Sequence, residues 1–448
     1  MDEPTALETQ VERWQDYVRR HRAIAPADVD EMTDHLRERI ADLQDAGLDD
    51  DEAFLVAVKR MGRLDAVSHE FAQAHSERLW KQLVLVPEEP IDGPGTRTRE
   101  LGVVLALAVG AGTAVKIAAE TLADVTFVAN VAFLVLPFLL GYLVWKRRPA
   151  PGVVVTLAAV LAACCAVVNL YPFDDGGSTM LLAVVHAPVV VWAVVGVAYA
   201  GGLWRSADRR MDFVRFTGEL AIYFALLALG GGVLIALTFG LLSVVDVDLE
   251  PAMEGWIMPF CVPGAFLVAA WLVEAKQEVV ENIAPVLTKV FTPLTTVMLV
   301  VSFGVLVASG GLTTVDRELL ILLDAVLVLV LALLLYSISA RDPLTRPGLF
   351  DALQLVLVCA ALAVDALALT AMLTRIAEFG ASPNKVAALG LNLLLLVHLV
   401  RTGWLLLGFC RHRRGFRALE RWQTTYLPVY AVWAAFVVVA FGPLFAFA

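Results

Sequence analysis

Residues 318–337 read ELLILLDAVLVLVLALLLYS, a stretch in which Glu318, Asp324 and Ser337 interrupt an otherwise apolar run. A helix needs about 20 apolar residues to cross the hydrocarbon core of a bilayer. At that depth a lipid-exposed backbone has no water to bond to, so the run must close its hydrogen bonds within itself as a helix. Working outward, similar runs recur near 101–119, 125–145, 151–170, 180–200, 217–243, 255–273, 290–309, 349–372, 385–408 and 425–446, eleven crossings in all. A soluble bundle is excluded because these runs have no polar face to turn to water. The expectation is an all-α chain, an approximately 11-helix transmembrane bundle following a small helical domain.

Charge divides the chain into two solvents. Residues 1–97 carry 22 acidic and 12 basic side chains, while the remainder nearly balances. With 59% hydrophobic residues and a mean hydropathy of +0.74, the whole is far from an ordinary soluble domain. The acidic part is unsuited to nucleic acid. The charged opening, Met1 to Arg22, has no apolar core of a cleavable signal, so the first crossing is expected to direct insertion. The expected organisation is a cytoplasmic helical domain over 1–86, a Pro- and Gly-marked linker over 87–100, and the polytopic part over 101–448. The five cysteines show neither zinc spacing nor a CxxC pair, so neither a metal site nor a cofactor is expected.

Four short helices are legible before the membrane. Leu7, Val11, Trp14 and Val18 form one apolar stripe, and Val29, Met32, Leu36, Ile40 and Leu43 form a second after Pro26. A third helix starts at Asp49 with Glu52 in a capping-box arrangement and stops at Gly62. A fourth, from about Asp65, turns Val67, Phe71 and Ala74 inward. Glu31, His35, Leu36, Ile40, Leu43, Gly47, Glu52, Ala53 and Gly62 resemble the pattern of the bacterial permease prefix domain and the related HAAS domain. That resemblance implies a small cytoplasmic module without catalysis of its own, fused ahead of permease-type membrane proteins and able to bind a cytoplasmic partner. His35 reads as a helix residue rather than a ligand, since Glu38 and Arg39 follow it at i+3 and i+4 and Arg39 cannot coordinate.

Orientation follows from loop charge. With the N-terminus inside, Lys146-Arg147-Arg148, then Arg205, Arg209, Arg210 and Arg215, then Arg341 and Arg346, and finally Arg411 to Arg421 are cytoplasmic. The opposite loops, ETLAD, YPFDDGGS and DVDLEPAME, are acidic or neutral. The expected topology is N-in and C-out in a bacterial inner membrane. Late in the chain, Arg375, Gly380, Ser382, Pro383, Asn384, Lys385 and Val386 resemble a motif of an uncharacterised family of bacterial polytopic membrane proteins, which implies no chemistry. Gly380 suits a turn, Ser382 a cap and Pro383 a first helical position.

Ionisable groups inside the bilayer are costly and point to function. On this topology His186, Asp324, Asp365 and Asn392 fall in the outer half, with His398 nearer the middle. Asp324 and Asp365 lie on consecutive antiparallel helices, an arrangement suited to a proton- or cation-linked site. The competing expectation is that each polar group only bonds a neighbouring helix. Gly230-Gly231-Gly232 inside the fifth crossing suggests either close packing or a helix break, and Pro188 a kink beside His186. Lys116 and Glu120 are expected to snorkel to the interface; Asp351, Glu219 and Glu274 are expected to be solvated at the opposite boundary. GxxxxGK[ST], HExxH and GxSxG are absent, and the contexts LLDAV and AVDAL lack the surroundings of intramembrane aspartyl proteases. The sequence therefore points to a non-enzymatic, permease-like protein or to a membrane sensor or scaffold.

Overall fold

Prolines, glycines and apolar stripes fix where the helices begin, end and touch. The computed structural model describes residues 26–45, 48–61, 94–174, 176–243, 250–275, 283–308, 317–341 and 345–448, with Leu7, Glu8, Gln10, Val11, Trp14 and Gln15 before them. The chain divides into two units, Met1–Arg97 and Thr98–Ala448.

The first unit contains α1 (Pro26–Asp45) and α2 (Asp50–Met61). The Glu52 amide donates to Asp49 Oδ1 at 2.8 Å, satisfying one of the orphan donors of the first turn of α2. Between the helices lies a core of Val11, Trp14, Leu36, Ile40, Leu43, Ala53, Phe54, Ala57 and Val58. Val11, Trp14, Leu36, Ile40 and Leu43 are members of the two stripes read from spacing; the side chains of Val29 and Met32 lie outside the described residues. His35 is exposed and 3.6 Å from Glu38, one turn along its own helix. Val18, Gly47, Gly62 and the fourth helix with Val67, Phe71 and Ala74 fall outside the described residues.

Among its described residues the second unit consists of helices joined by short turns. Its helices are α3 (Pro94–Thr121), α4 (Asp124–Arg147), α5 (Pro151–Leu170), α6 (Ser178–Tyr199), α7 (Ala207–Ser243), α8 (Glu250–Ala275), α9 (Ile283–Ala308), α10 (Arg317–Ser339), α11 (Leu349–Phe379), α12 (Pro383–Cys410) and α13 (Phe416–Leu444). All eleven are long and apolar enough to cross a membrane, so this is a multi-pass membrane protein embedded in lipid. The helix starting at Pro94 takes in the last part of the expected linker; Pro is preorganised for a first helical turn.

Two apolar cores organise the bundle. One joins α3, α4, α5, α6, α7 and α8 through Ala108, Leu139, Leu143, Val195, Phe216 and Leu267. The other joins α9 to α12 through Leu299, Leu327, Leu334, Leu357, Ala361 and Leu395. Helix α13 packs on α6 and α12 and so links the two.

Gly230, Gly231 and Gly232 neither break α7 nor pack closely. The helix runs unbroken through them, and a Cβ at any of the three would meet nothing within 4 Å. Each glycine costs about 1 kcal/mol relative to alanine, less than leaving backbone groups unpaired in lipid. Ser382 stands at the N-cap of α12 but makes no side-chain cap bond. The turn before it is held instead by Gly380 at φ 74° and by Lys385, whose Nζ donates to Gly380 O at 2.8 Å and to Arg375 O at 3.4 Å. Pro383 takes the first helical position as expected.

Lys116 does not snorkel freely. Pro259 lacks the N–H that would bond Gly255 O four residues earlier, and residues Met253–Ile257 form a π-helical turn. Lys116 Nζ donates to that Gly255 carbonyl at 2.8 Å, pairs with Glu120 at 2.6 Å and lies 4.0 Å from the Trp256 ring centroid.

Contacts sort the loops into two ends. At one, Lys146 and Arg147 meet Glu100 and Glu274, Arg215 Nε donates to Ser339 O at 3.2 Å, and Arg341 pairs with Asp351 at 2.9 Å. At the other, Asn384 Nδ2 donates to Ser178 Oγ at 3.2 Å, Tyr171 Oη to Val439 O at 3.2 Å, and the Asp174 amide to Phe447 O at 3.1 Å. The expected interfacial solvation of Asp351, Glu219 and Glu274 does not occur. All three are buried, and two of them are paired with basic residues of the same end, Asp351 with Arg341 and Glu274 with Arg147.

Candidate functional site

Helix α11 buries Ala361, Val364, Asp365, Ala368 and Met372 along one face, at spacings of three and four residues. Asp365 is therefore part of the core stripe, and its exposure is 0%. Among the described residues neither of its carboxyl oxygens has a hydrogen-bond partner. On α10, Asp324 sits between Leu320 and Leu327 on the corresponding stripe, half-buried. Helix α12 closes the cluster: Asn392, also 0% exposed, donates from Nδ2 to Asp324 Oδ1 at 2.9 Å. Asn392 Oδ1 is buried without a partner as well. Asp324 and the Tyr430 phenol of α13 both lie within electrostatic range of Asp365.

The result is a set of buried acceptors without donors among the described residues. Two Asp365 oxygens and the Asn392 carbonyl oxygen are buried and unbonded. Buried polar atoms are almost always paired, and exceptions call for an ion, a water or a proton. A proton on Asp365 turns one acceptor into a donor; a small hard cation would use several oxygens at once. No group of three or more His, Cys, Asp or Glu side chains suited to a metal ion occurs among the described residues.

His398 belongs to an adjoining network whose direction can be worked out. Thr402 Oγ1 donates to His398 O at 2.7 Å, so it accepts from Gln423 Nε2 at 2.9 Å. That turns Gln423 Oε1 toward His398 Nε2 at 2.8 Å, where the ring must donate. In the neutral ring Nδ1 is then the acceptor, and Tyr430 Oη donates to it at 2.9 Å. The Tyr430 oxygen keeps lone pairs of its own. Trp422, Tyr426 and Tyr430 surround the imidazole with ring centroids 4.8–5.9 Å away.

The expected set of five is thus partly assembled. Asp324, Asp365 and Asn392 come together, and His398 adjoins them through Tyr430. His186 is not joined to them. The buried face of α6, with Ala183, Ala187 and Val191, packs elsewhere, and His186 Nδ1 contacts Leu182 O of its own helix at 2.8 Å. Arg375, Gly380, Pro383, Asn384 and Lys385 form the turn between α11 and α12 and so set the register of Asp365 against Asn392. Sequence reading missed Gln423, Tyr426 and Tyr430, although their three- and four-residue spacing places them on one helix face. The last crossing had been drawn from 425, which left Gln423 and Trp422 in a loop; the helix begins at Phe416.

An apolar crevice of about 730 Å³ lies apart from this cluster, between α3, α4, α6, α7 and α8, lined by residues including Val115, Phe127, Leu136, Pro188 and Phe266, with Glu254 on its wall.

No family model, curated protein or solved structure matches the chain.

Proposed function

We propose that this multi-pass membrane protein is permease-like and works through reversible protonation of the Asp365–Asp324–Asn392 cluster. The observation that carries the reading is the fully buried Asp365 carboxyl with both oxygens unbonded. An ionised carboxylate there bears a large desolvation cost, so the group is expected to hold a proton at rest and to release it when a rearrangement admits water or a cation. The N-in, C-out orientation is part of the proposal, supported by the basic residues gathered at one end. A cysteine at Asp174, which is exposed in the opposite loop, should label with an impermeant reagent in intact cells; labelling only after lysis would reverse the orientation. The N-terminal unit is read as a cytoplasmic docking module, on the strength of its resemblance to permease prefix domains.

The test is infrared spectroscopy of the reconstituted protein across a pH titration. A protonated-carboxyl band is expected at neutral pH and should disappear in Asp365→Asn, which keeps the shape and removes the titrating group. Loss of the same band on adding sodium at fixed pH would make the ligand a cation instead of a proton. An identical carboxyl spectrum in wild type and Asp365→Asn would end the proposal. A sensor reading, in which protonation is relayed to the N-terminal unit and nothing is moved, is favoured by the separation of the crevice from the carboxyl cluster.

A further inference from the structure

At the basic end, one tryptophan carries two guanidinium groups. The Arg414 Cζ lies 3.5 Å and the Arg401 Cζ 4.4 Å from the Trp404 ring centroid. Arg401 comes from the preceding turn of α12 and Arg414 from the loop that follows the helix. Trp422 flanks the site from α13, 5.9 Å from Arg401.

The chain is shaped to put Arg414 there. His412 turns the backbone with φ 55°, and the Arg414 stem doubles back over α12 across Gly408. A Cβ at Gly408 would come within 2.7 Å of Arg414 Cδ and 3.2 Å of its Cγ. Glycine is required at this point for close approach: any side chain would lift Arg414 from the helix and from Trp404.

Two like charges are thereby held against one ring. Among the described residues neither guanidinium has an ion pair or hydrogen bond, although Arg147 and Arg341 at the same end are both paired with carboxylates. Glu420 is the single acidic residue between 401 and 424, against Arg401, Arg411, Arg413, Arg414, Arg417 and Arg421. Stacking on the indole orients the planar forks but does not neutralise them. The missing element is an anion. Paired guanidinium forks suit a phosphate, which they bind bidentately.

The setting decides which phosphate. Trp404 is exposed at the end of a membrane-spanning helix, the level at which tryptophan sits among headgroups. Above it on α12, Leu393, Val397 and Val400 are exposed apolar side chains along which acyl chains can lie. We propose that Arg401, Trp404 and Arg414 form a headgroup site for the phosphate of an anionic phospholipid. This inference does not depend on the protonation of Asp365.

The experiment uses full-length protein in nanodiscs or detergent, with retained lipid counted by native mass spectrometry during titration with phosphatidylglycerol or phosphatidylcholine. Wild type should retain phosphatidylglycerol in preference to phosphatidylcholine. Arg401→Gln with Arg414→Gln should weaken that retention about thirtyfold, from the share of about 1 kcal/mol that each basic residue contributes near an anionic surface. Gly408→Val should weaken it as well, with every charge still present, because it moves only Arg414. The Arg401→Lys, Arg414→Lys variant guards against a folding failure: it keeps the charge and should lose part of the preference with the forks. Equal retention of the two lipids by wild type, or unchanged retention in the Gln and Gly408→Val variants, would overturn the proposal. So would displacement of the lipid by millimolar inorganic phosphate, which would assign the site to soluble phosphate.

Discussion

Glu274→Ala should destabilise the membrane unit by about 3 kcal/mol, read as a lower midpoint in detergent unfolding. The Glu274 side chain is 1% exposed and accepts two hydrogen bonds of 2.9 Å from Arg147, with Lys146 Nζ 3.5 Å away. Arg147 also stacks at 4.8 Å on Tyr199, so it cannot swing out without losing a second contact. Lys146 keeps Glu100 at 2.6 Å. Removing the shared carboxylate therefore strands Arg147 in particular. Breaking a buried pair from one side costs about 3–5 kcal/mol, and the quarter exposure of the two cations places this case at the low end. The companion Arg147→Leu, Glu274→Leu variant should recover most of the loss, because apolar replacement of both partners removes the stranded charge. A silent Glu274→Ala, or a double variant worse than the single, would refute the account.

Asp365→Leu has the opposite expected sign. In place of an unbonded carboxyl it puts an apolar side chain of similar size into a stripe already made of Ala361, Val364 and Ala368. Relief of an unsatisfied buried polar group is worth about 1–3 kcal/mol, so the variant should unfold later than wild type while losing the carboxyl band and any proton-linked activity. Destabilisation by Asp365→Leu would mean that the carboxyl has a bonding partner in the folded protein and is packing material. Wild type would then gain nothing from carrying an acid there. Asn392→Leu is a useful control within the same cluster, since it strands Asp324 by removing the 2.9 Å bond.

The run at 318–337 was legible because bilayer thickness sets one length scale for every crossing, and all eleven helices were found from it. Helix ends were less legible. Lipid does not mark where α13 starts, and its first turns, with Trp422 and Gln423, look like polar loop until their bonds to His398 are seen. The carboxyl cluster was half visible: depth along a crossing groups Asp324, Asp365 and Asn392, but depth says nothing about rotation. His186, enlisted by the same argument, contacts the Leu182 carbonyl of its own helix. Gly230, Gly231 and Gly232 misled for a related reason. Composition announces weak helix formers, but in hydrocarbon the backbone has no alternative partner and the helix persists. The pairing of Glu274 with Arg147 joins residues far apart in the chain, and only the packing of α4 against α8 reveals it.

Lys385 fastens the start of α12 to the end of α11 by holding the Gly380 and Arg375 carbonyls. Two rods pinned at a shared corner have few independent degrees of freedom, so any displacement of this hairpin would carry both helices together. Asp365 and Asn392 ride on it together, while Asp324 stands on the neighbouring rod. Under the proposed protonation mechanism, the 2.9 Å bond between Asn392 and Asp324 would act as a latch across the seam between α10 and α12, and the protonation state of the acids would set how firmly it is shut.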